Sequence, residues 1–326
     1  MKILITGATG SLGAYLTRHF ANLGHEIIAS GRIAKPPEEL LKYATYIQAD
    51  IENPLNLPFA DACIHTAALS DDKSLLRDLY LPNVEGTKHI AEATKNYKRF
   101  IHISSSSVYL PSHEPIKEEI AGKQNNNELS DYGKSKLLAE EKLMQTTQHE
   151  ACFILRARAF YGEGDKLILP RLLKLVKNET LQLPGSLQVN ISMTHFKNIA
   201  HAIELCLLSE RKGINIYNIS DETVYLLIDV MRKFTSAFYG KKLNEKSIPI
   251  ALLRIMAFLK LGGITKLLIR AFTQDMVLDI SKIKTELGYK EQINIDSSLE
   301  SIALWVQKIG GVEVLKKADK QLAWKD

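Results

Sequence analysis

The segment Gly7-Ala8-Thr9-Gly10-Ser11-Leu12-Gly13 restricts the folds open to this chain more than any other feature. It follows directly on the apolar run Ile3–Ile5, and a stretch of helical composition reaching Leu23 comes after it. At such a strand-to-helix turn one glycine lets the chain reverse sharply. A second lets the backbone approach a pyrophosphate, and a third lets helix and strand pack closely. The helix N-terminus then offers free N–H groups and a positive dipole end to phosphate. A P-loop would need Gly-Lys-Ser/Thr at its end, and this segment has none. The turn therefore reads as a dinucleotide site, with Gly7, Thr9, Gly10, Ser11, Leu12 and Gly13 at the cofactor.

The rest of the first half repeats this alternation. Short apolar runs at Ile3–Ile5, Glu26–Ala29, Thr45–Gln48, Ala62–His65, Phe100–Ser104 and Cys152–Leu155 alternate with longer helical patterns. That order implies a parallel sheet with helices on both faces. Beyond residue 160 the pattern turns irregular and helical, with one expected strand at Ile214–Ile219. The expected fold is a doubly wound α/β (Rossmann) sheet with a small, mainly helical C-terminal substrate subdomain. Residues 1–160 form the dinucleotide-binding part, 190–220 return to it, and 161–326 are mainly the subdomain and closing helices.

Composition excludes several classes. The chain has 326 residues, 45% apolar and 24% charged, ordinary for a soluble globular protein. Its net charge of +5 is not gathered into a basic stripe, which argues against nucleic acid. Cys63, Cys152 and Cys206 are odd in number and far apart, so neither a disulfide framework nor a zinc site is expected. His195 and His201 do not share a helical face, and no metal is expected there. No signal peptide and no run of about 18 apolar residues is present, which gives a cytoplasmic expectation.

A second motif carries chemistry. Tyr132-Gly133-Lys134-Ser135-Lys136 lies on a helix expected to be capped by Ser130 or Asp131, after the polar loop Gln124–Glu128. Residues four apart share a helical face, so a phenol and an ammonium stand side by side. A phenol with a pKa of about 10 is a poor base at neutral pH, and a neighbouring cation favours its ionised form. Such a pair can give or take the proton on a substrate oxygen. By chance alone Tyr and Lys meet at this spacing on many helices; here the pair follows a strand in a chain that already carries the glycine turn.

With its GxxGxxG spacing and its YxxxK pair, the chain resembles the extended short-chain dehydrogenases/reductases, the NAD-dependent epimerase/dehydratase family. Within that family it is most similar to the 3β-hydroxysteroid-dehydrogenase-like group. The resemblance implies an NAD(P)-dependent dehydrogenase or reductase with Tyr132 as acid/base and Lys136 tuning it while binding the nicotinamide ribose. Ser105 would polarise the reacting oxygen, with Ser106 as the other reading within Ser104–Ser107. Asn83 would support the site. Asp50, with Ile51, would lie at the adenine, and Thr66, Ala67 and Ala68 along the cofactor. NAD-preferring members place an acidic residue after the second strand, whereas this chain has Arg32, whose guanidinium suits a 2′-phosphate. NADP is therefore the expected cofactor, with NAD the alternative. Arg156 and Arg158 read equally as ligands or as structural ion-pair partners.

Where sugar-nucleotide epimerases carry Asn and Arg, this chain has Ala159 and Ile191, and Ser106-Ser107 stand where dehydratases carry an acidic pair. The expected substrate is hydrophobic, hydroxysteroid-like or a β-keto-acyl compound. A nucleotide-sugar epimerase or dehydratase is one alternative, and a non-catalytic NADP-binding sensor or assembly factor another. Residues 248–272 are apolar and interrupted by basic residues, and read either as a lid or as a weak membrane-surface contact. The resemblance also implies a homodimer through helices at about 73–97 and 130–148.

Overall fold

Each apolar run becomes a strand, and the inner strands are buried on both faces. In this computed structural model, which describes residues 1–70, 74–259, 265–318 and 322–325, they form one parallel sheet. The strands are β1 (Lys2–Thr6), β2 (Glu26–Gly31), β3 (Thr45–Gln48), β4 (Ala62–His65), β5 (Arg99–Ser105), β6 (Ala151–Ala157) and β7 (Gly213–Ile219). Their spatial order is β7-β6-β5-β4-β1-β2-β3. Leu4 pairs with Ile28 on one side and Cys63 on the other, and Ile101 pairs with Phe153. All of β6 is buried, as expected for an inner strand covered from both sides.

Two separate layers of helices cover the sheet. On one face Leu12, Leu16 and Phe20 of the helix Ser11–Asn22 pack with Phe196, Ile199 and Ile203 of the helix Phe196–Leu208. On the other, Ile90 of the helix Gly86–Ala93 and Leu143 of the helix Asp131–Thr146 cover Leu4, Phe100 and Ile154. Strand order reverses at β1, between β4 and β2, so the turns after β1 and β4 diverge there. In an open parallel sheet a ligand crevice lies at that point, outside the carboxyl ends of the strands.

The second helical layer holds a local surprise. Helical backbone runs on from Leu76–Tyr80 through a wide π turn at Leu81–Glu85 into Gly86–Ala93. Pro82 lacks an N–H and cannot continue the ordinary ladder, which accounts for the widened turn. The expected start near residue 73 lies outside the described residues.

The subdomain has its own apolar cluster, including Leu169, Leu181, Ile228, Phe234 and Trp305. It contains more sheet than expected. Thr180–Pro184 pairs antiparallel with Val176–Lys177 and parallel with Asn244–Ile248. Asn178 and Glu179 both have positive φ, the conformation of a two-residue hairpin turn. No glycine announces this turn, and the polar Asn244–Ile248 has no alternation that sequence reading could detect.

One buried ion pair joins the layers. Arg156 of β6 grips Glu140 through Nε at 3.0 and 3.1 Å and through Nη2 at 2.6 Å. Its Nη1 donates to the Tyr109 hydroxyl at 2.8 Å and to the Glu118 carbonyl at 2.7 Å. The structure thus makes Arg156 a scaffold residue. Replacing it by Met strands the Glu140 carboxylate in the interior, and Arg156→Met should lose about 3–5 kcal/mol of unfolding free energy. Urea denaturation checks this; a loss under about 1 kcal/mol would mean the carboxylate is satisfied elsewhere.

Candidate active site

The glycine turn sits at the switch point. Gly7 has φ +71°, and a Cβ there would lie 2.8 Å from the Ala67 nitrogen and from the Thr66 hydroxyl oxygen. A Cβ on Gly13 would lie 2.2 Å from the Gly7 carbonyl oxygen, so the helix rests directly on the turn. Gly10 caps that helix without a side chain, which leaves the N–H groups of its first turn free to donate to phosphate. The residues present fit a pyrophosphate. Lys166 crosses the mouth of the turn, its backbone N–H on Ser11 Oγ at 3.2 Å and its Nζ on the Thr9 carbonyl at 3.4 Å. Leu12 is buried beneath.

Farther out, Arg32 is exposed and makes one long contact, 3.4 Å, to the Glu52 carboxylate. Glu52 was not singled out from the sequence. Asp50 is exposed and accepts the Glu52 N–H at 3.2 Å, while Ile51 is buried below it. The Thr66 hydroxyl donates to the Thr6 carbonyl at 2.6 Å, and Ala67 and Ala68 continue the turn past the glycines.

Tyr132 and Lys136 occupy the first turns of the helix Asp131–Thr146, capped by the Ser130 hydroxyl on the Gly133 N–H at 3.0 Å. Gly133 decides where this helix stands. A Cβ there would lie 2.1 Å from the Ser107 carbonyl oxygen, so the helix is pressed onto the bend that follows β5. That contact brings the first turn of the helix, which carries Tyr132, against the bend. The end of β5 and the 3-10 turn Ser106–Val108 then sort the serines. Ser104 points inward and donates to Glu140; Ser106 is buried as well. Ser105 and Ser107 stay half-buried, with the Ser105 hydroxyl donating to Ser107 Oγ at 3.1 Å. Ser105 is thus the better placed of the two serines read from the sequence, and Ser107 is an addition.

Lys136 is buried, with Nζ donating to the Ile103 carbonyl at 2.9 Å and to His102 Nε2 at 3.2 Å. An ammonium can only donate, so His102 accepts as neutral imidazole. Burial, with Lys136 adjacent, keeps His102 well below its ordinary pKa. Asn83, in the π turn, accepts the Leu69 N–H at 2.7 Å and donates to Ser135 Oγ at 3.0 Å. It braces the helix Asp131–Thr146 against the turn after β4.

A directed chain of hydrogen bonds links these parts. Thr87 donates to the Asn83 carbonyl at 2.7 Å, so it must accept from His65 Nε2 at 3.1 Å. His65 Nδ1 therefore accepts from Thr6 Oγ1 at 2.7 Å, and Thr6 in turn accepts the Ala67 N–H at 3.3 Å. Burial, then the charge of Lys136, lowers the His65 pKa to about 3, which keeps the ring neutral while its hydrogen bonds fix the tautomer.

A glycine cradle at the switch point, beside a helix that carries Tyr132 and Lys136 and a bend that carries Ser105, is an arrangement that suits a dinucleotide-dependent oxidoreductase. Residues 3–220 match the NAD dependent epimerase/dehydratase family, and the chain belongs to it. It is an NAD(P)-dependent enzyme of the extended short-chain dehydrogenase/reductase type. It is 27% identical to the uncharacterized protein YbjS of Escherichia coli, covering 95% of this chain and 99% of that one. It is 23% identical to a 2-alkyl-3-oxoalkanoate reductase of Stenotrophomonas maltophilia, covering 93% and 98%. Identity to the sterol-4-alpha-carboxylate 3-dehydrogenase of Candida albicans is 22%, covering 94% and 98%. Among solved structures, MoeE5 in complex with UDP-glucuronic acid and NAD superposes with a TM-score of 0.73 at 20% identity, covering 94% and 99%.

Burial lowers the Lys136 pKa to about 8, partly offset by Glu140. Unfolded, the lysine keeps its proton to about 10.5. Between these values the unfolded chain binds more protons, so the lysine's contribution to stability rises with pH. The stability of wild type relative to Lys136→Met should therefore increase from pH 7.5 to pH 10. Paired urea titrations read this difference; a flat or falling difference would contradict a desolvated ammonium.

Proposed function

We propose that this enzyme transfers hydride between a nicotinamide dinucleotide and the alcohol or ketone carbon of a hydrophobic, hydroxysteroid-like or β-keto-acyl substrate. The observation that supports this reading is the Gly133–Ser107 contact, which sets the helix carrying Tyr132 and Lys136 against the Ser105–Ser107 bend. The bound dinucleotide supplies or accepts the hydride. In the reducing direction the Tyr132 hydroxyl gives its proton to the substrate oxygen, and solvent returns one. Ser105 turns its hydroxyl from Ser107 to the same oxygen. Two of the three Lys136 donors are engaged, and the third serves the ribose and Tyr132. Asn83 holds the helix in place.

The relatives favour this substrate class. Two of them are named for carboxylate-bearing compounds, a 2-alkyl-3-oxoalkanoate and a sterol-4-alpha-carboxylate. Against a sugar nucleotide stands Ile191, buried where such enzymes carry Arg. We read Arg32 as the ligand of an NADP 2′-phosphate, because among the described residues its guanidinium makes a single long, exposed contact. The free, buried cysteines suit a cytoplasmic setting. Exposed Leu75, Tyr80, Leu81 and Met144 on the two helices named above suit a homodimer. In the segment 248–272 we favour the lid, since Leu267 and Ala271 face the cleft beside Ser107. Leu252, Ile255 and Phe258 remain exposed and would serve a membrane surface; Lys260, Gly262 and Gly263 lie outside the described residues.

Dehydrogenation of a panel of hydroxysteroids and 3-hydroxy acids, followed by dinucleotide absorbance, tests the reading. Tyr132→Phe should lower kcat about 10²–10⁴-fold, and Ser105→Ala about 10²–10³-fold. A Tyr132→Phe rate within about twofold of wild type would remove the phenol from the mechanism. Arg32→Ala should raise KM for NADP⁺ about tenfold or more while leaving that for NAD⁺ unchanged. An equal change for both would sink the 2′-phosphate assignment.

A further inference from the structure

Beside the Ser105–Ser107 bend lies a cleft of about 90 Å³, bounded by Tyr109, Leu129, Leu267 and Met276. Two guanidiniums reach it. Arg270 is already satisfied, with Nη2 on Glu128 Oε2 at 2.8 Å and Nη1 on the Glu128 carbonyl at 3.2 Å. Arg158 is not. Its Nε is sealed from solvent without a hydrogen-bond partner, and no side-chain ion pair compensates it among the described residues. Its backbone is pinned, since the N–H donates to Thr194 Oγ1 and the carbonyl accepts from the same hydroxyl, at 3.2 and 2.7 Å. Arg156, two residues earlier, has every direction of its fork answered. Leaving a cation buried and unpaired costs stability unless an anion arrives. Burial pulls the Arg158 pKa only to about 10, so the charge persists at neutral pH.

Resting on the hydride-transfer reading above, we propose that Arg158 anchors the carboxylate of the substrate, which makes this an oxidoreductase of 3-hydroxy and 3-oxo acids rather than of their esters or of neutral sterols. Charge selects the ligand class. Glu128 consumes Arg270, so the cleft offers one net positive charge, a match for a monoanion and a poor one for a diphosphate. Size sets the spacing. Ser107 and Arg158 line the same small cleft, and Ser105 is one hydrogen bond from Ser107. A carboxylate on the guanidinium then lies only a carbon or two from the atom whose oxygen meets Ser105 and Tyr132. The apolar walls take the chain that follows.

Calorimetric titration of 3-hydroxydecanoate and of its methyl ester onto the full-length protein saturated with NADP⁺ or NAD⁺ tests the anchor. Wild type should bind the acid at least about tenfold tighter than the ester. Arg158→Met should abolish that preference and Arg158→Lys retain part of it. In ligand-free protein Arg158→Met should keep or raise the melting temperature, because it removes a half-buried cation whose Nε has no partner. The proposal is overturned by equal binding of acid and ester, by binding of neither, or by a preference that survives in Arg158→Met. It is equally overturned if UDP-glucose proves the Arg158-dependent ligand, or if Arg158→Met melts well below wild type. Turnover in the same samples separates the two readings. Acid held through Arg158 but never oxidised would sink hydride transfer and leave the anchor standing. Acid and ester oxidised alike, with dependence on Tyr132, would sink the anchor and leave the oxidoreductase.

Discussion

Glu140 is a carboxylate with no exposure to water, and the arrangement of the active site depends on how it is satisfied. Arg156 reaches it from β6 and Ser104 from β5, while it sits on the helix one turn beyond Lys136. Such a pair adds little net stability over a well-packed apolar pair. Its effect is on position. Sliding the helix along the sheet by one turn would strip the carboxylate of its partners, so the helix has one register. Lys136, Ser135 and Tyr132 are indexed to the strand ends by that constraint. Gly133 then sets the remaining coordinate, the depth of the helix against the Ser107 carbonyl.

The strands and the two motifs were legible because their signals are local. Thr45–Gln48 and Ala62–His65 appear with the bounds read from the sequence, and the other expected strands differ by one or two residues at their ends. Buried parallel strands announce themselves as unbroken apolar runs, and the glycine turn carries its own reason. The serine run was ambiguous on paper, since four adjacent hydroxyls differ only in which way the strand points them. Ser104 and Ser106 are buried and Ser105 is less so, which the end of the strand at Ser105 and the turn Ser106–Val108 decide together.

What stayed hidden was chiefly long-range pairing. Nothing near Arg156 or Arg158 in the sequence tells them apart, because the difference is a Glu140 on another element for one and none for the other. His102 looked like one more residue of β5 until its ring met Lys136. Glu52 was passed over because it lies on a different loop from Arg32. The subdomain strands are too short, or too polar, for a period to show.

The chain running from the Ala67 N–H through Thr6, His65 and Thr87 to the Asn83 carbonyl has a single polarity. Every donor points the same way, and a low-dielectric interior lets aligned bonds polarise one another. A charge placed at the Ala67 end of the line would therefore be felt at the wide turn that braces the helix carrying Tyr132. The glycine turn and that helix are in this respect joined by one dielectric circuit. Its histidine works as a wire and not as a base: burial keeps the ring neutral, and a proton on Nδ1 would reverse the Thr6 bond and break the common direction.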